Sequence, residues 1–204
     1  MKKIMFNDRY GLTEAVLSGR KTQTRRIITC PKEFKGQEAG GFYVYRRMSD
    51  NAVLEYPIMH DADGFDIDGA YILPKYKVGE VVAVAQAYND FYNDECDPRI
   101  FPDGAGWTNK MFVRADLMPH HIRITNERIE RLQDISDEDC IKEGIEWDHK
   151  SQRFYVRYNS KTHSRMWFAN TPRETYSALI NSISGKGTWE SNPDVFVYDF
   201  ELVK

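Results

Sequence analysis

The stretch from His121 to Leu132 constrains the fold more than any other. Ile122 and Ile124 share one parity, while Ile129 and Arg131 share the opposite one. Side chains alternate faces along a strand, so this change of parity calls for a bulge or kink, placed near Asn126. A long strand that bends suits a small barrel. The stretch Asp194–Val203 reads as another strand, with Phe196, Tyr198, Phe200 and Leu202 on one face and Asp199 and Glu201 on the other.

Three helices are expected beside these strands. The first covers 9–18, capped by Asp8, with Leu12, Ala15 and Val16 on one face, Leu17 beside them, and Gly19 in the left-handed position that ends it. A second starts at Ser136, whose hydroxyl caps a first turn of acids, and stops at Gly144. Thr171-Pro172-Arg173-Glu174 opens a third, with Tyr176, Leu179, Ile180 and Ile183 as its apolar face and Gly185 as its end.

Further strands are predicted over Thr22–Ile28, over Val81–Ala87 (buried on both sides) and over Lys110–Leu117. Phe42–Tyr45 and Ala52–Ile58 read as a hairpin with its turn near Ser49-Asp50-Asn51, and 145–168 as a second hairpin. Tyr88–Asn109 reads as a loop anchored by Trp107. Helices and strands follow one another without a βαβ rhythm, so the expected class is α+β: one domain over 1–204 on a largely antiparallel sheet or barrel.

Composition removes several functions. The 204 residues carry a net charge of −3, with 41% apolar and 29% charged side chains, and no apolar run reaches membrane-spanning length. No secretory signal precedes the first acid, and Cys30, Cys96 and Cys140 are too far apart for a disulfide framework or a zinc site, so a reducing cytoplasm is expected. The five histidines (His60, His120, His121, His149 and His163) have no metal spacing, and the acidic run His60–Asp68 fails the EF-hand pattern and reads as a solvated loop. Trp107, Trp147 and Trp167 read as core or loop anchors, although any of them is able to stack on a base. No metal or other cofactor is expected.

The chemistry-bearing segment is Gly-Arg-Lys-Thr-Gln-Thr-Arg-Arg, Gly19–Arg26. Arg20, Lys21, Arg25 and Arg26 are cationic and Thr22 and Thr24 supply hydroxyls, in a chain that is acidic overall. Arginine offers a planar fork of donors and lysine a compact charge, suited to a phosphate, a carboxylate or the polar edge of a base. A solvated charged turn after a helix is the alternative.

Three pieces together resemble the ASCH family, small proteins with a PUA-like β-barrel. They are Gly19-Arg20-Lys21-Thr22-x-Thr24-x-Arg26 after a short helix, Lys77-x-Gly79-Glu80 before a buried strand, and Leu132-x-Asp134-Ile135-Ser136 leading to a helix that ends Lys142-Glu143-Gly144. The larger bacterial and phage members are the most similar, through Arg128–Ser136. The resemblance covers about 4–28, 77–88, 121–145 and the last strand, with 30–75 and 146–170 as elaborations.

It implies a PUA-like, mostly antiparallel barrel with about three peripheral helices, binding RNA or a modified nucleoside beside the basic segment. One branch of small ASCH proteins removes the acetyl group from N4-acetylcytidine. Its pattern carries over to Lys21, Thr24 and Glu143 as catalytic residues, with Arg20, Thr22, Arg25 and Arg26 as substrate- or RNA-binding residues. Amide hydrolysis needs a nucleophile, a base and an oxyanion donor. Thr24 offers the hydroxyl, and Lys21 serves as base once burial and neighbouring arginines lower its pKa. Lys21 and Thr24 are three apart and point oppositely on a straight strand, so the backbone over 21–24 must turn. Two readings stay open: an amidohydrolase acting on an N4-acylated cytidine, or a non-catalytic PUA-like module in which Lys21–Glu143 is a buried ion pair stitching helix to barrel. The expected partners are a modified nucleoside or a short RNA, with no membrane.

Overall fold

The structure, a computed structural model, describes residues 1–49, 52–92, 104–158 and 164–203. In chain order the regular elements begin with β1 (Lys3–Ile4), α1 (Leu12–Leu17), β2 (Gln23–Ile27), β3 (Glu33–Phe34) and β4 (Gln37–Glu38). Then come β5 (Gly41–Ser49), β6 (Ala52–His60), β7 (Asp66–Tyr71), β8 (Val81–Val84), β9 (His121–Arg131) and α2 (Asp137–Lys142). The chain finishes with β10 (Glu146–Asp148), β11 (Arg153–Tyr158), β12 (Ser164–Ala169), α3 (Pro172–Ser184), α4 (Thr188–Ser191) and β13 (Asp194–Val203). The class is α+β, dominated by strands.

A five-stranded sheet, ordered β1-β8-β9-β13-β2, forms the centre. All its pairings are antiparallel except β1 with β8. β13 runs the full length of β9, and the register shifts where Asp199 faces Asn126 and the next residue, Phe200, faces Ile124. Thr125 is therefore the extra residue, and it reconciles the two parities of β9 beside the expected kink. β8 is buried on both faces because Val82 and Val84 join the main core while Ala83, with Ala85, packs against Tyr88, Val113 and Met118.

The sheet does not close into a barrel. β1 and β2 are its edges, and they are linked by a side chain, Arg26 Nη2 donating to the Met5 carbonyl at 2.6 Å, with no ladder between them among the described residues. β1 is only two residues long and leaves the sheet at Met5, too short to meet β2. Along the free edge of β2 lies the cavity described below.

Two smaller sheets flank this one. β5-β6-β7 inserts Phe42 and Val44 toward the main core, and β10-β11-β12 packs under α3 through Val156 and Phe154. The β5–β6 hairpin matches the expected one, its turn residues Asp50 and Asn51 lying outside the described residues. β7 is an addition, since the acidic stretch read as a loop turns into a strand at Asp66.

Other expectations are corrected. The first helix is broken: Gly11 adopts φ 62°, separating a 3₁₀ turn over Asp8–Tyr10 from α1, and Asn7, not Asp8, caps the turn. Lys110–Leu117 is not a strand but two 3₁₀ turns, capped in part by the Asn109 side chain, and its carbonyls at Met111 and Val113 accept from Lys3 Nζ instead of a ladder. In place of a hairpin over 145–168 there is the three-stranded sheet, with 159–163, including His163, outside the described residues. Trp107 is 39% exposed and packs on Tyr92; part of its loop (93–103), with Cys96, is also outside. The short α4 is a fourth helix that periodicity did not reveal. Among the described residues no helix is long and apolar enough to cross a membrane, and Cys30 and Cys140 are unbridged.

Candidate functional site

Two backbone bonds hold the segment that carries Lys21. α1 ends at Ser18 and Gly19 takes φ 73°, turning the chain so that the Lys21 amide donates back to the Ala15 carbonyl at 2.9 Å. The Thr22 amide then donates to the Lys142 carbonyl of α2 at 2.9 Å. β2 begins only at Gln23. Residues 20–22 are thus irregular, the departure from a straight strand that a shared Lys21–Thr24 site demands.

The partner comes from α2. Ser136 caps it, accepting from the Asp139 amide at 3.1 Å, and Glu143 sits at its C-cap. Gly144 follows at φ 104°, a conformation L side chains rarely adopt, and a Cβ there would touch Leu12, Ala15 and Lys21. This turn brings Glu143 over the end of α1. Lys21 Nζ donates to the Glu143 carboxylate and, at 2.8 Å, to the Glu143 backbone carbonyl. The pair is nearly closed to solvent, with side-chain exposures of 1% and 6%. A carboxylate is disfavoured at a helix C-terminus unless cations compensate, and here two do, Lys21 and Arg25.

Arg25 anchors the arrangement from the neighbouring face. Its guanidinium is fully buried and meets Glu130 at 2.9 Å, Asp139 at 3.0 Å and Glu143 at 3.4 Å. Burial works against its charge, but Glu143 and the other carboxylates outweigh it, and its pKa is raised. Arg128 extends the network to Glu130, Asp139 and Asp199.

Lys21, Thr24, Arg25, Arg26 and Glu143 all line one cavity of about 660 Å³ along the free edge of β2. On one side lies the segment Met5–Arg9 that continues from β1; on the other are Tyr176, Leu179, Ile180 and Ile183 of α3. Thr24 and Arg26 share the β2 face opposite Tyr198 and Phe196, while Arg25 points to the other face. The Lys21 ammonium and the Arg26 guanidinium approach the same Phe6 ring, at 5.9 and 5.8 Å from its centroid. Lys21 is thus held by Glu143 and faces the same Phe6 ring as Arg26.

Burial lowers the Lys21 pKa; Glu143 offsets part of this, and Arg26 and Arg25 lower it further. Both causes expected from the sequence act here, and desolvation is the larger. Thr24 is buried and lines the cavity. Arg20 and Thr22 lie outside the cavity lining. Arg20 is engaged by Glu146 at 2.7 Å and Glu14 at 3.6 Å, and the Thr22 carbonyl accepts from the Phe200 amide.

Tyr176 escaped the sequence reading. It was assigned to the apolar face of the third helix, where it does lie, 2% exposed. It also lines the cavity. Burial first, then the Glu143 charge, push its pKa well above the usual tyrosine range, so it is a neutral O–H donor. The available signal was the tyrosine itself, a polar tip on an apolar face that a phenylalanine would fill without one. Cys140, also close by, is no nucleophile: burial pushes its pKa up to about 12.

No group of three or more metal-ligating side chains occurs among the described residues. What the cavity offers is a threonine hydroxyl, a buried amine of lowered basicity held by a carboxylate, and a neutral phenol. Compared with protein-family models, curated proteins and solved structures, the chain matches none of them.

Proposed function

We propose that the chain is an amidohydrolase that deacylates an N4-acylated cytidine or a similar modified nucleoside, on an ASCH-like fold whose PUA-type barrel is left open between β1 and β2. One observation carries the reading: Lys21, Thr24 and Glu143 line a single cavity, with the Lys21 amine buried against Glu143.

Thr24 Oγ1 attacks the acyl carbonyl and gives its proton to neutral Lys21. Glu143 orients the amine and stabilises the ammonium that forms. The carbonyl oxygen, now an oxyanion, accepts from Tyr176 Oη. Collapse breaks the C–N bond, and the departing N4 takes the proton back from Lys21. Water, deprotonated by Lys21, then attacks the acyl-threonine carbonyl, and the departing Thr24 Oγ1 takes that proton from Lys21 as the acyl group leaves as a carboxylic acid.

The test is incubation of N4-acetylcytidine with purified protein, with cytidine and acetate read by chromatography. Cytidine release is expected; its absence with folded protein refutes the hydrolase. Tyr176→Phe is expected to lower turnover by about 10²- to 10³-fold with little change in KM, the loss typical of one oxyanion donor. An unchanged turnover removes Tyr176 from the chemistry.

The second reading, a non-catalytic PUA-like module for RNA or a modified base, has its own supporting observation. The Lys21–Glu143 pair is closed to solvent and ties α2 to the chain entering β2. Binding of the acylated nucleoside without turnover selects it.

A further inference from the structure

The cavity has a charge balance of its own. Five cations line it (Arg9, Lys21, Arg25, Arg26 and Lys110) and only two carboxylates, Asp8 and Glu143, within a chain of net charge −3. Most of that excess is compensated. Lys21 has Glu143, Arg25 has three carboxylates, and Lys110 has Asp8 at 2.7 Å as well as the Phe6 carbonyl and the Thr13 hydroxyl. Two cations remain with no carboxylate among the described residues.

Arg26 donates Nη2 to the Met5 carbonyl, while its Nε is buried without a partner. Arg9 spends Nη2 on the Tyr158 hydroxyl at 3.1 Å and is otherwise exposed over the Tyr10 and Tyr158 rings. They belong to opposite walls, Arg26 to edge strand β2 and Arg9 to the segment that continues β1. Arg26 also shares its strand face with Thr24, two residues away.

We infer that Arg9 and Arg26 form an anion subsite at the open edge of the sheet, which takes the phosphate of a nucleoside monophosphate while the acylated base reaches Thr24. The assignment rests on the nucleoside reading for the body of the ligand; the anion subsite itself follows from the uncompensated guanidinia. Guanidinium forks match phosphate oxygens, and a charge-assisted bond is the stronger kind. A cavity of about 660 Å³ is of the size that encloses one small molecule, and the acidic whole opposes a long polyanion.

Calorimetry on the full chain compares cytidine with cytidine 5′-monophosphate. The nucleotide is expected to bind at least about tenfold more tightly, one charged hydrogen bond's worth, with the ratio falling toward one in Arg9→Gln and in Arg26→Gln. Arg9 is exposed, so its variant folds even if removing the partly buried Arg26 does harm. Equal affinity for the two ligands, or a ratio unmoved in the Arg9 variant, overturns the subsite. So does a short oligocytidylate that binds far more tightly than the mononucleotide. Hydrolysis of N4-acetylcytidine beside its 5′-monophosphate separates the two ideas. Turnover without phosphate preference sinks the subsite and leaves the hydrolase. Phosphate-dependent binding without turnover of either leaves the subsite and sinks the hydrolase. Failure of both ligands to bind sinks both.

Discussion

Thr24→Ala is expected to lower the turnover of N4-acetylcytidine by on the order of 10⁴-fold or more, the scale on which removing a nucleophile disables a hydrolase. Thr24→Ser keeps the hydroxyl and is expected to retain most of the rate, which separates loss of the oxygen from disturbance of β2. Lys21→Arg tests the base. It preserves the positive charge and the ability to bond Glu143, but a guanidinium does not deprotonate. A loss of about 10²- to 10⁴-fold is expected if Lys21 moves the proton. The pH profile follows from the same assignment. The active form of Lys21 is the neutral amine, and burial lowers its pKa, so kcat rises with pH and levels off below the ordinary lysine range. In Lys21→Arg that limb disappears. A variant with full rate and an unchanged limb would remove Lys21 from proton transfer and leave it a structural cation.

Local rules made much of this site legible. Gly19 ends α1 and turns the chain, Ser136 caps α2, and the full capping box of Thr171 and Glu174 opens α3. These signals lie within a few residues of the atoms they satisfy. The bulge in β9 was legible too, because parity is strict once both faces of a strand are committed. Long-range placement was hidden. Nothing local says that β1 pairs parallel to β8 and then departs at Met5, which leaves the sheet open and turns Phe6 and Arg9 toward β2. Nor does the sequence around Lys110 reveal that its carbonyls serve Lys3; the alternation there resembled a strand, and tertiary bonds overrode it. Tyr176 had the periodicity of a core residue and is one. Its role depends on where its hydroxyl ends, which periodicity does not specify.

Glu143→Gln is expected to destabilise the protein by about 3–5 kcal/mol, the cost of leaving a buried ion unpaired. At roughly 2–4 °C per kcal/mol for a chain of this size, the melting temperature falls by on the order of 10 °C. The glutamine still offers an acceptor, so what is lost is the charge facing Lys21 and Arg25. Arg25 keeps Glu130 and Asp139 at 2.9 and 3.0 Å, which leaves Lys21 as the uncompensated group. Its folded pKa already lies below the unfolded value. Between those two values the unfolded chain binds more protons than the folded one, so stability rises with pH through that window. The cost of the buried ammonium is therefore present in full at lower pH and relieved as pH climbs, and the deficit of Glu143→Gln should narrow in step. The double variant Lys21→Met, Glu143→Leu separates structure from chemistry. Replacing a buried ion pair by apolar groups of similar size is often neutral or stabilising by about 1–4 kcal/mol. A double variant that melts at or above the wild-type temperature while releasing no cytidine shows that the pair is kept for chemistry at no benefit to the fold. One that melts as low as Glu143→Gln shows that the pair stitches α2 to β2, and the binding-module reading then takes precedence.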